Sequence, residues 1–221
     1  MKFKNIIFDF DGTLVDSKPG IVTSFKLVAK DFKKEVSEDQ ITKLIGLPLA
    51  EFLATMLSTN NQETISKGSG LFIKYYAEKG IKLNTVYSGI EQLLAFLKNH
   101  GYQIFIVSNR IELFLKEIIK LHNLEKYFIF VRGTDGTDKK SEKAEYVKDV
   151  IKKYKLKKEE TAIIGDTEND IIAGKNNSIY SIGVTWGYRT KDDLIKAGAD
   201  MVFNTPLELQ QYIKNENRET N

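Results

Sequence analysis

The 221-residue chain is 42% hydrophobic, ample for a packed core, and its 33 basic residues nearly balance 30 acidic ones for a formal charge of +3. The lysines are scattered among acids rather than blocked with aromatic residues, which argues against nucleic acid as a partner. With no cysteine and only two histidines, disulfides, thiolate catalysis and zinc thiolate sites drop out, and a hard-cation, oxygen-ligand site remains. The apolar start contains two aspartates and lacks a small-residue cleavage site, and no apolar run is long enough to span a bilayer. The expectation is therefore a cytoplasmic protein without a membrane partner.

In chain order, the first apolar run, Ile6 to Phe10, reads as a buried strand that leads into Asp9-Phe10-Asp11-Gly12-Thr13-Leu14-Val15. Two like charges at the mouth of a core strand are expensive unless a metal or a protonated state compensates, so the pair points to chemistry more than to packing. Asp9 is read as a nucleophile, and Asp11, two positions on and on the same side, as the proton donor and acceptor. Gly12 lets the backbone turn tightly beside a ligand. An aspartate in a turn or helix cap looks the same in isolation, so the reading gains its force from acids that recur at a second strand end.

Between Val15 and about Asn84 no strand run appears. Ile21, Phe25, Val28 and Phe32, then Leu49, Phe52, Leu53, Met56 and Leu57, read as amphipathic helices. A segment of roughly 70 residues is far longer than a crossover needs, which predicts an inserted helical cap over 16–84 and a core of 1–15 with 85–221. Ile90, Leu93, Leu94 and Leu97 give the next helix, with Ser88 and Glu91 as its capped start.

A second strand, Ile104 to Val107, is followed by Ser108-Asn109, which offer a hydroxyl, an amide and helix N-terminal amides to a phosphate oxygen. Arg110 follows them and is left open between substrate and solvent, without an assigned role. Phe128 to Val131 is a further strand candidate. Lys139, Lys140 and Lys143 precede a helix marked by Val147, Val150, Ile151 and Tyr154, and Lys143, at its start, is taken as the cation that steadies the nucleophile and the phosphoryl charge.

The strand Ala162 to Ile164 runs into Gly165-Asp166-Thr167-Glu168-Asn169-Asp170, so that Asp166 and Asp170 join Asp9 in an oxygen-rich cluster of the kind magnesium prefers. Tyr180 to Val184 is the next strand, with Trp186 and Tyr188 beyond it as candidate pocket walls. Thr205-Pro206 with Glu208 starts a last helix, and the polar tail after Lys214 reads as frayed. His100 and His122 lie near helix ends and receive no role. Alternating strands and helices predict an α/β fold with a doubly wound parallel sheet, whose ligand site lies beyond the carboxyl ends of the strands, where Asp9, Ser108-Asn109 and Asp166 fall.

DFDGTLVDS, the Ser-Asn pair, a helix-starting lysine and GDTENDI, in this order and spacing, resemble the haloacid dehalogenase superfamily of phosphatases over nearly the whole chain. Within it the chain is most similar to the phosphoglycolate phosphatase branch, with Ile45-Gly46-Leu47-Pro48-Leu49 resembling the cap loop that reaches into the active site. The resemblance implies a Rossmann-like core with a helical cap and a magnesium-dependent phosphatase acting on a small phosphorylated metabolite through an aspartyl phosphate on Asp9. It makes Asp11 the general acid and base and a ligand through its backbone carbonyl, and Asp166 the completion of the metal site. Asp170 would support the metal through water or hold the lysine, while Ser108, Asn109 and Lys143 bind the phosphoryl group. No Pro follows Lys143, which departs from the family pattern and keeps Lys140 as a fallback. Dehalogenation is disfavoured because Asp11 supplies a second acid. A phosphomutase, a pyrophosphatase and a non-catalytic metabolite sensor are the competing readings, and the oligomeric expectation is monomer or homodimer.

Overall fold

The computed structural model describes residues 3–136 and 143–216. Ile6-Ile7-Phe8 has branched and aromatic side chains and no turn residue, so it forms β1 (Asn5–Phe8), buried on both faces as a central parallel strand must be. After a tight turn come β2 (Val15–Asp16) and the helices α1 (Lys18–Asp31), α2 (Glu38–Leu44), α3 (Leu49–Leu57) and α4 (Gln62–Tyr75). A single π-helical turn at Tyr76–Gly80 and a 3-10 turn at Ile81–Leu83 lead back to β3 (Thr85–Val86). This strand lies antiparallel to β2, with Val15 opposite Val86, so one short ribbon ties the exit and the return of the helical segment.

The rest alternates helix and strand. It runs α5 (Ile90–Asn99), β4 (Gln103–Ile111), α6 (Glu112–Leu121), β5 (Phe130–Thr134), α7 (Lys143–Tyr154) and β6 (Thr161–Gly165). Next come α8 (Glu168–Asn177), β7 (Tyr180–Val184), α9 (Lys191–Lys196), β8 (Met201–Phe203) and α10 (Pro206–Glu216). The strand order is β5-β4-β1-β6-β7-β8, every pair parallel. This is the doubly wound α/β sheet that the alternation predicts.

Period-two alternation sorts the strand side chains between two cores. Ile7, Phe105, Val107 and Ile163 pack against Tyr146, Val147, Val150 and Ile151 of α7. Ile6, Phe8, Ile106 and Ile164 face the other way, into one cluster with α5, α6 and the helical segment. The α5 stripe Ile90, Leu93, Leu94 and Leu97 is fully buried, each side chain stabilising by about 1.5 to 3 kcal/mol.

Four details differ from the sequence expectations. β4 extends to Ile111, because its pairing with β5 slips after Val107 and resumes at Ile111 opposite Thr134. β5 starts two residues late, after a 3-10 turn at Glu125–Tyr127. The edge strand β8 has three residues and only Phe203 buried, too brief for an apolar pattern to announce it. Ser88 does not cap α5; Gly89 does so in a left-handed conformation, φ +86°. At α10, by contrast, the Glu208 N–H donates to Thr205 Oγ1 at 3.1 Å as predicted, and the helix continues to Glu216; the rest of the tail expected to fray lies outside the described residues. Among the described residues no helix is long and apolar enough to cross a membrane.

Candidate active site

The crossover from β1 leads toward β4 and the connection from β6 leads toward β7, on the opposite side, so the topological switch lies between β1 and β6. Asp9 and Asp166 are the residues just past those two strands, and the Asp9 N–H extends the ladder with a 2.8 Å bond to the Ile164 carbonyl. Gly12 sits in the turn with φ +79°, and a Cβ there would run into the Asp166 carboxylate, so only glycine fits.

Lys143, the first residue of α7 and 2% exposed, extends to both acids beside it. Its Nζ donates to Asp9 Oδ1 at 2.7 Å and to Asp170 Oδ1 at 2.6 Å. Asp170 is itself fixed through its other oxygen, which accepts from the Thr167 N–H at 3.0 Å and Thr167 Oγ1 at 2.7 Å in the capping box that starts α8. Asp166 accepts from Thr13 Oγ1 at 3.0 Å and from the Tyr188 N–H at 2.9 Å. The carboxylates of Asp9, Asp166 and Asp170 each bring an oxygen within 4.8 Å of the others.

Three buried acids thus stand together, two of them on one ammonium. Burial, then the Asp170 and Asp11 charges, push the Asp9 carboxyl up to about 7, against the pull of Lys143. Burial, together with the charges of Asp9 and Asp170, also raises Asp166, although Tyr188 and Thr13 hydrogen-bond its charged form. Burial opposes the charge of Lys143 but Asp170 and Asp9 outweigh it, holding the amine above its ordinary value and firmly protonated. A divalent cation among the three carboxylates would supply the missing positive charge, and an all-oxygen donor set suits magnesium. The residues present fit the ion.

The Asp11 carboxylate faces elsewhere. Arg110, 9% exposed, places Nε 2.9 Å and 2.8 Å from Oδ1 and Oδ2 and Nη2 2.5 Å from Oδ1, while its guanidinium carbon stands 4.7 Å over the Tyr76 ring. The π-helical turn delivers Tyr76, whose hydroxyl donates to Asn84 Oδ1 at 3.0 Å. Arg110 is the residue that sequence reasoning left without a role; only its place beside Ser108-Asn109 hinted at it.

Ser108 and Asn109 lie in the irregular end of β4, four and three residues before α6, so helix N-terminal amides do not sit directly behind them as expected. Ser108 Oγ accepts from the Arg110 N–H at 3.3 Å, and Asn109 Nδ2 donates to the Gly46 carbonyl of the helical segment at 2.9 Å. Both line the cavity with Asp9, Asp11 and Lys143. Trp186 and Tyr188 do not line it. Instead Trp186 Nε1 donates to the Thr13 carbonyl at 2.9 Å, and the Tyr188 hydroxyl pairs with Ser17 Oγ at 3.0 Å, so Trp186 braces the turn after Asp9 and Tyr188 the start of α1. Lys140, the fallback lysine, lies outside the described residues. His100 and His122 are the C-caps of α5 and α6.

The cavity above Asp9 measures about 80 Å³, floored by the charged residues of the sheet edge and walled by the helical segment, including Leu47 and Leu49. A family model described as haloacid dehalogenase-like hydrolase matches residues 6–184. The chain belongs to that family. It is 31% identical over 219 residues to the phosphoglycolate phosphatase of Vibrio parahaemolyticus, covering 95% of this chain and 96% of that one, and 30% identical to its Vibrio cholerae counterpart over 90% and 92%. Among solved structures, a Clostridium acetobutylicum protein described as a predicted phosphatase superposes with TM-score 0.91 at 31% identity, covering 97% of this chain and all of the other. The protein is thus an α/β hydrolase of the phosphatase type with a helical insert.

Proposed function

We propose that this protein is a magnesium-dependent phosphomonoesterase for a small phosphorylated metabolite, with residues 16–84 as the cap over a core of 1–15 and 85–221. The observation that carries the reading is the buried Lys143 bridging Asp9 and Asp170 while Asp166 stands within ligand distance of both. Structural ion pairs rarely leave three acids to one cation at a strand edge; phosphoryl transfer needs such an arrangement.

In this mechanism Lys143 holds Asp9 Oδ1 and the second carboxylate oxygen attacks phosphorus, so that an aspartyl phosphate forms as the bond to the leaving alcohol breaks. Asp11 gives its proton to the departing oxygen. It then takes a proton from the water that attacks phosphorus, releasing inorganic phosphate and restoring Asp9. Asp11 reaches the leaving oxygen through one carboxylate oxygen while Arg110 keeps its hold on the other. Asp9, Asp166 and Asp170, with the Asp11 carbonyl, would hold magnesium, which would supply positive charge against that gathering on the phosphoryl oxygens. Ser108, Asn109 and the Gly12 turn contact those oxygens, and Lys143 adds a fixed charge beside them.

Relatives are named for phosphoglycolate, so a panel of esters includes it beside sugar phosphates, nucleotides and simple alkyl phosphates. The test is phosphate release from a panel of these esters, with magnesium and with chelator, for the native protein and Asp9→Asn. Magnesium-dependent release that falls at least about a thousandfold in the variant is expected. Isomerisation of hexose phosphates without release would move the assignment to a phosphomutase, and no turnover of any ester would move it to a sensor.

A further inference from the structure

From the cavity wall we infer that the leaving group is an apolar alcohol rather than a carboxylate or a polyhydroxylated sugar. The inference rests on the phosphatase reading above and names the substrate class of that same site. The eight lining residues contributed by the helical segment are all apolar or glycine. Phe25 lies flat on Phe52, centroids 3.8 Å apart at 4°, and stacks on Phe72 at 4.3 Å. Ile21, Leu49 and, from the core, Phe114 close the remaining wall.

Among the described residues nothing charged on that wall is available to a second anion. Among the described lining residues the cations are Lys143, taken by Asp9 and Asp170, and Arg110, which grips both oxygens of Asp11 and lies over Tyr76. The cap carbonyl nearest the floor, that of Gly46, already accepts from Asn109 and Asn169. A carboxylate or sugar hydroxyl set against this wall would lose its water and meet no polar side chain of the helical segment; methyl groups lose nothing.

An isosteric pair tests this. Isobutyl phosphate is 2-phosphoglycolate with the two carboxylate oxygens replaced by methyls, and isobutylphosphonate and phosphonoacetate are the matching non-hydrolysable pair. Calorimetric Kd values for the two phosphonates on the native protein with magnesium are expected to favour isobutylphosphonate by tenfold or more. The kcat/KM values for the two esters should move in the same direction. Leu47→Arg, which places a cation on the half-buried part of the wall, is expected to narrow or reverse both preferences. Equal or tighter binding of phosphonoacetate with faster hydrolysis of 2-phosphoglycolate would overturn the inference and leave the phosphatase standing. A clear preference for isobutylphosphonate with no phosphate released from either ester would uphold the apolar pocket and take down the catalytic reading.

Discussion

The two sides of this cavity are built on opposite principles. The sheet edge gathers Asp9, Asp11, Asp166, Asp170, Arg110 and Lys143, nearly all buried, and holds them with hydrogen bonds from Thr13, Thr167 and Tyr188. The helical segment contributes stacked phenylalanines and aliphatic side chains, with no charge facing the space between. Buried charge is sustained only where each group is fixed by a partner, and the parallel sheet gives that fixity because strand ends set positions to within a fraction of a residue. The helices need no such fixity for apolar contact, which is non-directional. On the proposed function, one side does the same chemistry on any phosphoryl group and the other chooses what the phosphoryl group is attached to.

The contrast breaks most readily at Lys143. Lys143→Met leaves Asp9 and Asp170 without their shared cation, and a loss of about 3 to 5 kcal/mol in urea unfolding, alongside loss of phosphate release, is the expected result. A loss below about 1 kcal/mol would show that the acids find other partners and that the charged side is less tightly built than described.

Magnesium should sharpen the difference next. At a hundredfold excess over Kd it adds about 2.7 kcal/mol to the folded state. Because folding raises the Asp9 carboxyl from 3.8 to about 7, the folded protein without metal holds a proton that the unfolded chain has released, and this group makes stability fall as pH rises from about 4 to 7. The metal must expel that proton, so the rise in Tm on adding magnesium is expected to be larger at pH 8 than at pH 5.5. An increment equal at both values would remove Asp9 from the ligand set.

On the apolar side, Phe52→Leu gives up a stacked contact with little change in volume, at about 1 kcal/mol. Its kinetic signature should be a raised KM with kcat within about threefold, since no transition-state group is touched. A collapse of kcat would mean that the wall does more than receive the leaving group.

The smallest effect falls where the two sides meet. Arg189 donates to the carbonyls of Lys43 and Ile45 at 3.2 Å each and to Glu168 Oε2 at 3.0 Å, so the core grips the end of α2. Arg189→Ala is expected to cost about 1 kcal/mol or less, seen as faster amide exchange over residues 38–46 with the sheet unchanged. Uniform exchange in both proteins would show that the Asn109 and Asn169 bonds to Gly46, with apolar packing, hold this loop without Arg189.

The strands β1, β4, β6 and β7, the helical insert and the acids at the strand ends were legible in the sequence, because core strands and long amphipathic stripes leave strong periodic signals. The edge strand β8 was not, nor was the slip that carries β4 past Ser108 and Asn109, since short and irregular backbone has no period to read. In the site, Asp9, Asp11, Asp166, Asp170 and Lys143 were named from type and spacing. Thr13, Thr167 and the Tyr188 amide were missed, because hydroxyls and backbone groups carry no distinctive pattern until something buried needs them.

By itself the sequence determined the chemistry: which acids stand where strands end, that no thiolate or zinc thiolate site is available, and that a long apolar-striped insert comes after the first motif. Tertiary structure alone decided the partners. Arg110 grips Asp11, Tyr188 moves from pocket wall to brace, and phenylalanines 27 residues and more apart in the chain stack into one apolar face. Spacing along a chain sets what each side chain is able to do, but pairing depends on distances between segments, which exist only after the sheet and the helices have packed.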